Sequence, residues 1–406
     1  MKRIRANEAD VKLLGRTTAD KEGTVWCALS GTGMEFRYKG TQLAVALRGD
    51  DLTKITDLEQ LEELREVEDV ENPRFAVYIN EKRVLDQVLC DRNRECPIWE
   101  SSEPEEITVK ILKLSEAPMS LLGIAALLTE ENGTIQKTPD RVHKIEFIGD
   151  SITCGYGVDD ENEEHSFSTA TEDVTAAYAY LTAQTLGADY SMVSYSGYGI
   201  ISGYTETDEK LLTELVPDMY EYVGYSRGKA EGEAISLRKW NFESFQPDVV
   251  VINLGTNDDS YCKDETDRQQ EFAERYADFL EEVRRHNPGA YLLCVYGIMT
   301  DRLFPYVEKA ARKYREKTGD QRIGVIPIEP HTEKDGFVAD WHPSRKTHQR
   351  AAEKVSHEIR LLWKEEIHEI YKTNAVLAAG DDAGFQRSAG SYGRGTAGGE
   401  RSTGSK

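Results

Sequence analysis

The chain has 406 residues, enough for two domains with sizeable cores. Its 50 Lys and Arg stand against 73 Asp and Glu, a net charge of −23. Such a surface repels phosphate backbones and anionic lipid, which argues against nucleic acid or membrane as a partner and suits neutral ligands such as sugars. No apolar run is long enough to span a bilayer, and residues 1–10 lack the apolar stretch of a signal peptide. Six cysteines show no metal-type spacing, so a reduced, cytoplasmic setting is expected.

Residues 24 to about 130 read as all-β, a sandwich or jelly roll. Met34–Lys39 alternates apolar with polar, Gly40-Thr41 reads as a turn, and Leu43–Leu47 makes a second strand. Phe75–Ile79 and Val84–Leu89 flank Asn80-Glu81-Lys82 as a hairpin. Ile107–Ile111 and Leu121–Leu128 add two strands, and an acidic insert, Asp57–Glu71, interrupts the pattern. Residues 131–142 are polar, with Asn132-Gly133 and Pro139, and read as a linker between a β-domain, 1–130, and a second domain, 143–372. There strands alternate with helices, the signature of a parallel sheet. Strands are expected at Ile145–Ile148, Ser191–Ser194, Val249–Asn253, Tyr291–Val295 and Ile323–Ile328. Helices are expected at Thr171–Leu186, Thr266–His286, Leu303–Lys317 and from Thr347 to about Tyr371. The Gly/Ser-rich stretch 373–406 reads as a disordered tail.

The loops at the C-terminal ends of these strands carry the chemistry, since ligands of open α/β sheets bind there. Ile145–Ile148 runs into Gly149-Asp150-Ser151, which delivers a serine to the sheet edge. Val193–Gly199 offers glycines whose N–H groups can approach a ligand. Strand Val249–Asn253 leads into Gly255-Thr256-Asn257-Asp258, and Asp340-Trp341-His342-Pro343 precedes the last helix. Each residue alone has a duller reading: a turn serine, a turn Asn with Asp258 capping the next helix, a loop His. Together they form the kit of acyl transfer: nucleophile, base and donors for an oxyanion. Gly199 competes with Gly197 as donor, and His165 is the rival base. Trp341 is expected to pack in the core, and Tyr156, Tyr195 and Tyr198 receive no role.

The order Gly-Asp-Ser, Gly, Gly-x-Asn-Asp, His-Pro resembles the SGNH (GDSL-type) hydrolase superfamily over roughly His143–Tyr371. The β-rich region before it makes the whole resemble carbohydrate esterase family 2, a jelly-roll domain joined to an SGNH domain. The resemblance implies Ser151 as nucleophile, His342 as general base, and an oxyanion hole of the Ser151 N–H, the Gly197 N–H and the Asn257 amide. It implies no metal or organic cofactor. Many members carry Asp three residues before the His; here that place holds Ala339, and Asp340, two before, is the candidate third member. Neither a helical nor an extended segment brings Asp340 naturally onto His342, so a dyad with a backbone carbonyl holding the imidazole is expected. The implied activity is a carbohydrate O-acetylesterase acting on hemicellulose-derived manno- or xylo-oligosaccharides. The rivals are a lipid or thioester hydrolase of the same superfamily and a non-catalytic carbohydrate-binding protein.

Overall fold

The computed structural model describes residues 1–54 and 71–364, so most of the acidic insert and the whole of the tail lie outside the described residues. Residues 1–356 form one compact unit. Its first part is a ten-stranded, curled antiparallel sheet: β1 (Lys2–Arg5), β2 (Lys12–Leu14), β3 (Thr17–Ala19), β4 (Val25–Cys27), β5 (Gly33–Gly49), β6 (Arg74–Ile79), β7 (Lys82–Val88), β8 (Asn93–Lys113), β9 (Leu122–Thr129) and β10 (Thr134–Lys137). The central path runs β3-β4-β9-β5-β8-β6-β7, with β1 beside β9 and with β2 and β10 beside β5.

Two expectations change here. Met34–Lys39 and Leu43–Leu47 belong to one strand of 17 residues, because Gly40-Thr41 is a bulge and not a turn. The carboxylate of Glu130 accepts from Thr41 N at 2.8 Å and Gln42 N at 2.7 Å, so the N–H groups displaced from the ladder are satisfied without a reversal. The stretch 131–142 is more than a linker: it contains β10, whose half-buried Ile135 packs against the β-core. The β6–β7 hairpin turns at Asn80 and Glu81, both at positive φ (50° and 65°), as a two-residue turn with the twist of the flanking strands demands.

The second part is a five-stranded parallel sheet, β12 (Asp189–Ser194), β11 (Lys144–Gly149), β13 (Val249–Asn253), β14 (Tyr291–Tyr296) and β15 (Ile323–Pro327), in that spatial order. Strands β11 to β14 are buried on both faces, as in a sheet covered by helices. The helices are α1 (Ser151–Cys154), α2 (Tyr178–Leu186), α3 (Thr256–Cys262), α4 (Thr266–His286) and α5 (Phe304–Thr318). A last helix begins at residue 345 and buries Ala351, Ala352 and Val355. Helix α2 starts later than its Ala-rich sequence predicts. Asp173 accepts from Thr175 N and sets a short 3₁₀ turn, and Ala177, extended at φ −73° and ψ 151°, delays the helix to Tyr178.

One core joins the two parts. Trp26, Ala28, Leu29, Ala117 and Leu121 of the β-domain pack in the cluster that holds Ile148, Val193, Ile252 and Phe272. Charge is buried across the same junction. Arg16, 0% exposed, donates to Glu146 on β11 at 3.1 Å and to the carbonyl of Tyr222 at 2.9 Å, and its guanidinium lies 4.9 Å from the ring centres of Tyr220 and Phe242. Glu146 also accepts from Ser191 Oγ at 3.0 Å and Tyr220 OH at 2.7 Å. Lys12 pairs with Asp189 at the start of β12.

Removing one partner of a buried ion pair strands the other charge. Arg16→Met, which keeps the volume, is therefore expected to cost about 3–5 kcal/mol. Unfolding in denaturant measures it; a loss below about 1 kcal/mol, the range of an exposed pair, would remove Arg16 from the junction.

Candidate active site

Strand β11 ends at Gly149, and Asp150 caps the single-turn helix α1 by accepting from Ile152 N at 3.0 Å. Ser151 is thereby the first helical residue, and the amide of such a residue has no partner within the helix. Burial pushes the Asp150 carboxyl up to about 7, against the Ile152 N–H that favours its charge. Ser151 Oγ stands 2.9 Å from His342 Nε2. The other ring nitrogen, Nδ1, faces the carbonyl oxygens of Ala339 at 3.2 Å and Asp340 at 3.1 Å. Two carbonyls can only accept, so Nδ1 carries the proton and Nε2 presents its lone pair to the serine.

The carboxylate of Asp340 goes elsewhere: it accepts from the hydroxyl of Tyr156. Asp340 and Trp341 both sit at positive φ, 51° and 56°. This left-handed pair turns the Asp340 carbonyl onto the imidazole, and it is held by Ala339 N to Asp160 O at 3.2 Å and Asp340 N to His165 O at 3.0 Å. Tyr156 stacks on His342 with ring centres 3.9 Å apart and planes 18° apart. Enclosed in this way, the imidazole is pushed down by burial to about 4, only partly offset by the two carbonyls. His165 pairs with Asp160 at 3.0 Å. Trp341 differs from expectation: the left-handed turn leaves it 52% exposed beside His342 and outside the core.

The donor side is a turn across Tyr195–Tyr198, closed by Tyr198 N to Tyr195 O at 3.3 Å. Gly197, at its third position with φ +82°, supplies the backbone that a type II turn needs there. Gly199 N already donates to Glu214 O at 3.1 Å, which takes it out of the competition for an oxyanion. Asn257, in the first turn of α3, donates from Nδ2 to Tyr198 O at 2.8 Å, and Nδ2 has a second hydrogen. Asp258 does not cap α3, which begins at Thr256. Its buried carboxylate accepts from Ile200 N at 2.9 Å, Ile201 N at 2.6 Å and Ser202 N at 3.2 Å, and burial pushes it up to about 6 against those three donors.

The site thus brings Ser151, His342, Gly197 and Asn257 to one sheet edge, and seats Asp340 behind the histidine's backbone. Sequence reasoning gives Tyr156 no role and offers Asp258 only the duller reading of a helix cap; the Asn-Asp doublet after β13 is the available signal for the second. Two groups among the described residues bring ligand-type atoms within 4.8 Å of one another, Glu116–Cys154–Glu172 and Glu221–Glu282–His286, and neither includes Ser151 or His342.

Residues 147–350 match the GDSL-like lipase/acylhydrolase family, and residues 13–139 match the carbohydrate esterase 2 N-terminal family. The chain belongs to the GDSL-like acylhydrolases. It is 29% identical over 341 residues to the cellulase/esterase CelE of Acetivibrio thermocellus, covering 82% of this chain and 37% of that protein's length. The chain therefore spans little more than a third of that relative. Among solved structures, a family two carbohydrate esterase from Clostridium thermocellum in complex with cellohexaose is similar at 25% identity and a TM-score of 0.72, over 87% of this chain and 99% of that one. An acetyl xylan esterase from the rumen bacterium Butyrivibrio proteoclasticus shares the fold at 24% identity and a TM-score of 0.78, over 90% of this chain and 100% of that one.

Two outcomes follow from this acylhydrolase geometry. Only the neutral imidazole can take the serine proton. Burial lowers the His342 pKa, so the base persists as pH falls from neutral to about 5 and is lost on passing about 4. The acid limb of kcat/KM should lie near pH 4; a limb near the ordinary histidine value of about 6.5 would mean a wet imidazole. In a serine-protease triad, exchanging the carboxylate for its amide lowers kcat about 10⁴-fold. Asp340→Asn keeps an acceptor for Tyr156 and leaves both carbonyls in place, so it should cost about tenfold or less on that scale. A thousandfold loss at unchanged melting temperature would make Asp340 the third member of a triad.

Proposed function

We propose that this chain is a carbohydrate O-acetylesterase, removing acetyl groups from hemicellulose-derived manno- or xylo-oligosaccharides by a Ser–His acyl-enzyme mechanism. The observation that carries the reading is the 2.9 Å contact of Ser151 Oγ with Nε2 of His342, whose Nδ1 faces two carbonyls. The carbohydrate esterase 2 N-terminal match supports the substrate class. The exposed indole of Trp341 beside the base supports it too, since an aromatic face is a surface on which a sugar ring can lie. No helix among the described residues is long and apolar enough to cross a membrane.

In this reading Ser151 Oγ attacks the acetyl carbon while its proton passes to His342 Nε2. The tetrahedral oxyanion accepts from Ser151 N–H, Gly197 N–H and Asn257 Nδ2. Collapse expels the sugar oxygen, which takes the proton from His342 and leaves as a free hydroxyl. Water then attacks acetyl-Ser151, giving its proton to His342, and acetate departs as Ser151 recovers its hydrogen. The reading includes a jelly-roll β-domain over 1–130, a connection to residue 142 and a hydrolase domain over 143–372. It also includes a cytoplasmic setting, supported by six cysteines that are all free.

The purified chain should release acetate from acetylated mannan or xylan oligomers and turn over a nitrophenyl acetate faster than the octanoate. Ser151→Ala should lower kcat about 10⁴–10⁶-fold with the fold intact. Preference for the octanoyl ester would favour a lipid hydrolase instead, and oligosaccharide binding without acetate release would favour a binding protein.

A further inference from the structure

The donor turn of the hydrolase part is held by a residue from the β-domain. Glu116, in the loop between β8 and β9, is fully buried, and its carboxylate accepts from Ser196 N at 2.8 Å. Ser196 immediately precedes Gly197 and is the second residue of the turn. The reach of Glu116 is itself braced. Glu172, also fully buried, accepts from Glu116 N at 2.7 Å. The buried ammonium of Lys113 donates to the carbonyls of Ser115 and Glu116, both at 2.6 Å. Ser115 Oγ accepts in turn from Arg74 N at 3.1 Å.

The turn and the segment after it are therefore gripped at three places. Glu116 takes the amide before Gly197, Asn257 takes the carbonyl after it, and Asp258 takes the three amides of residues 200–202. Only the first grip comes from outside the parallel sheet. Two fully buried carboxyls, Glu116 and Glu172, are a costly way to fill space, because each must be desolvated. An apolar pair of the same volume would pack this junction without that cost. What the carboxylate adds is a fixed acceptor for one chosen amide.

We propose that Glu116 is a positioning residue for the acyl-transfer centre: by holding the N–H of the Tyr195–Ser196 peptide it sets the direction of the next peptide, so that the Gly197 N–H faces the oxyanion. The proposal rests on the esterase reading for its chemistry. It gives the β-domain a part in catalysis besides any part in holding sugar, since a donor displaced by an ångström loses much of its effect on the transition state.

The test compares two variants of the full chain with nitrophenyl acetate, a substrate without sugar. Glu116→Met keeps length and volume but removes the acceptor. It should lower kcat about 10- to 100-fold with KM within about twofold, the pattern of a lost transition-state contact. Glu116→Gln keeps a carbonyl oxygen at the same reach and should recover most of that loss. Combined with Asn257→Ala, the Met variant should lose less than the product of the two single losses, because both act on one oxyanion. A Met variant with kcat within about threefold of native overturns the proposal, as does a fall in melting temperature in both variants with unchanged kcat per folded molecule. Should Met fail to fold, Glu116→Leu, which also removes the acceptor, takes its place beside Asn257→Ala: strictly multiplicative losses overturn the shared oxyanion role. A native chain inactive on acetyl esters would sink the esterase reading itself, a different result from an active native chain with an active Met variant.

Discussion

Charge taken out of water is the constraint on which this molecule depends. Once the guanidinium of Arg16 lies in the interior its charge must be met, and the groups that meet it come from the second part of the chain: Glu146 on β11, the carbonyls of residues 220 and 222, and two aromatic faces. Glu146 lies on the same strand that ends at Gly149, so the clamp grips β11 a few residues before Ser151. Lys12 grips β12 at its first residue. The β-domain thus fixes two adjacent strands from below, and the loops above them inherit that rigidity. Function is placed on loops, yet their stems are locked by packing and paired charge.

The histidine arrangement has an energetic logic of its own. A carboxylate on Nδ1 would both hold the tautomer and stabilise the imidazolium. Two carbonyls hold the tautomer but offer much less to the cation, and burial under Tyr156 disfavours it further. The base is therefore always in its accepting form near neutrality, but it is a weak one. Catalysis with such a base leans on the other half of the reaction, the stabilisation of the oxyanion. Buried polar residues gather there: Glu116 and Asn257 bond the Tyr195–Tyr198 turn itself, and Asp258 bonds the three amides that follow it at residues 200–202.

Much of this was legible beforehand, and for identifiable reasons. Strands such as Val249–Asn253 are apolar runs that end in glycine turns, so both the sheet and its functional edge show in one line of sequence. Local signals misled where a distant residue intervened. Gly40-Thr41 reads as a turn, but Glu130, ninety residues on, supplies the acceptors that let the strand continue through it. Thr171–Leu186 reads as one helix, but Asp173 favours a 3₁₀ turn first. Trp341 reads as core because tryptophan usually is; only the left-handed backbone at 340 and 341 turns it outward. Glu116 lay out of reach of any such reading, since a lone acid after a strand gives no hint of the amide eighty residues away that it will meet.

The shared core has a consequence for how such a protein is inherited. Cutting the chain at residue 142 would lay bare the apolar side chains that pack with Trp26, Leu29 and Leu121, and would leave Glu146 and Asp189 buried without their cations. A gene fragment that moved the hydrolase half alone into a longer polypeptide would encode a protein with an open seam. Recombination can carry this activity between larger architectures only by moving both halves together, so the hereditary unit is the joined pair. The single compact body of residues 1–356 is the physical form of that unit.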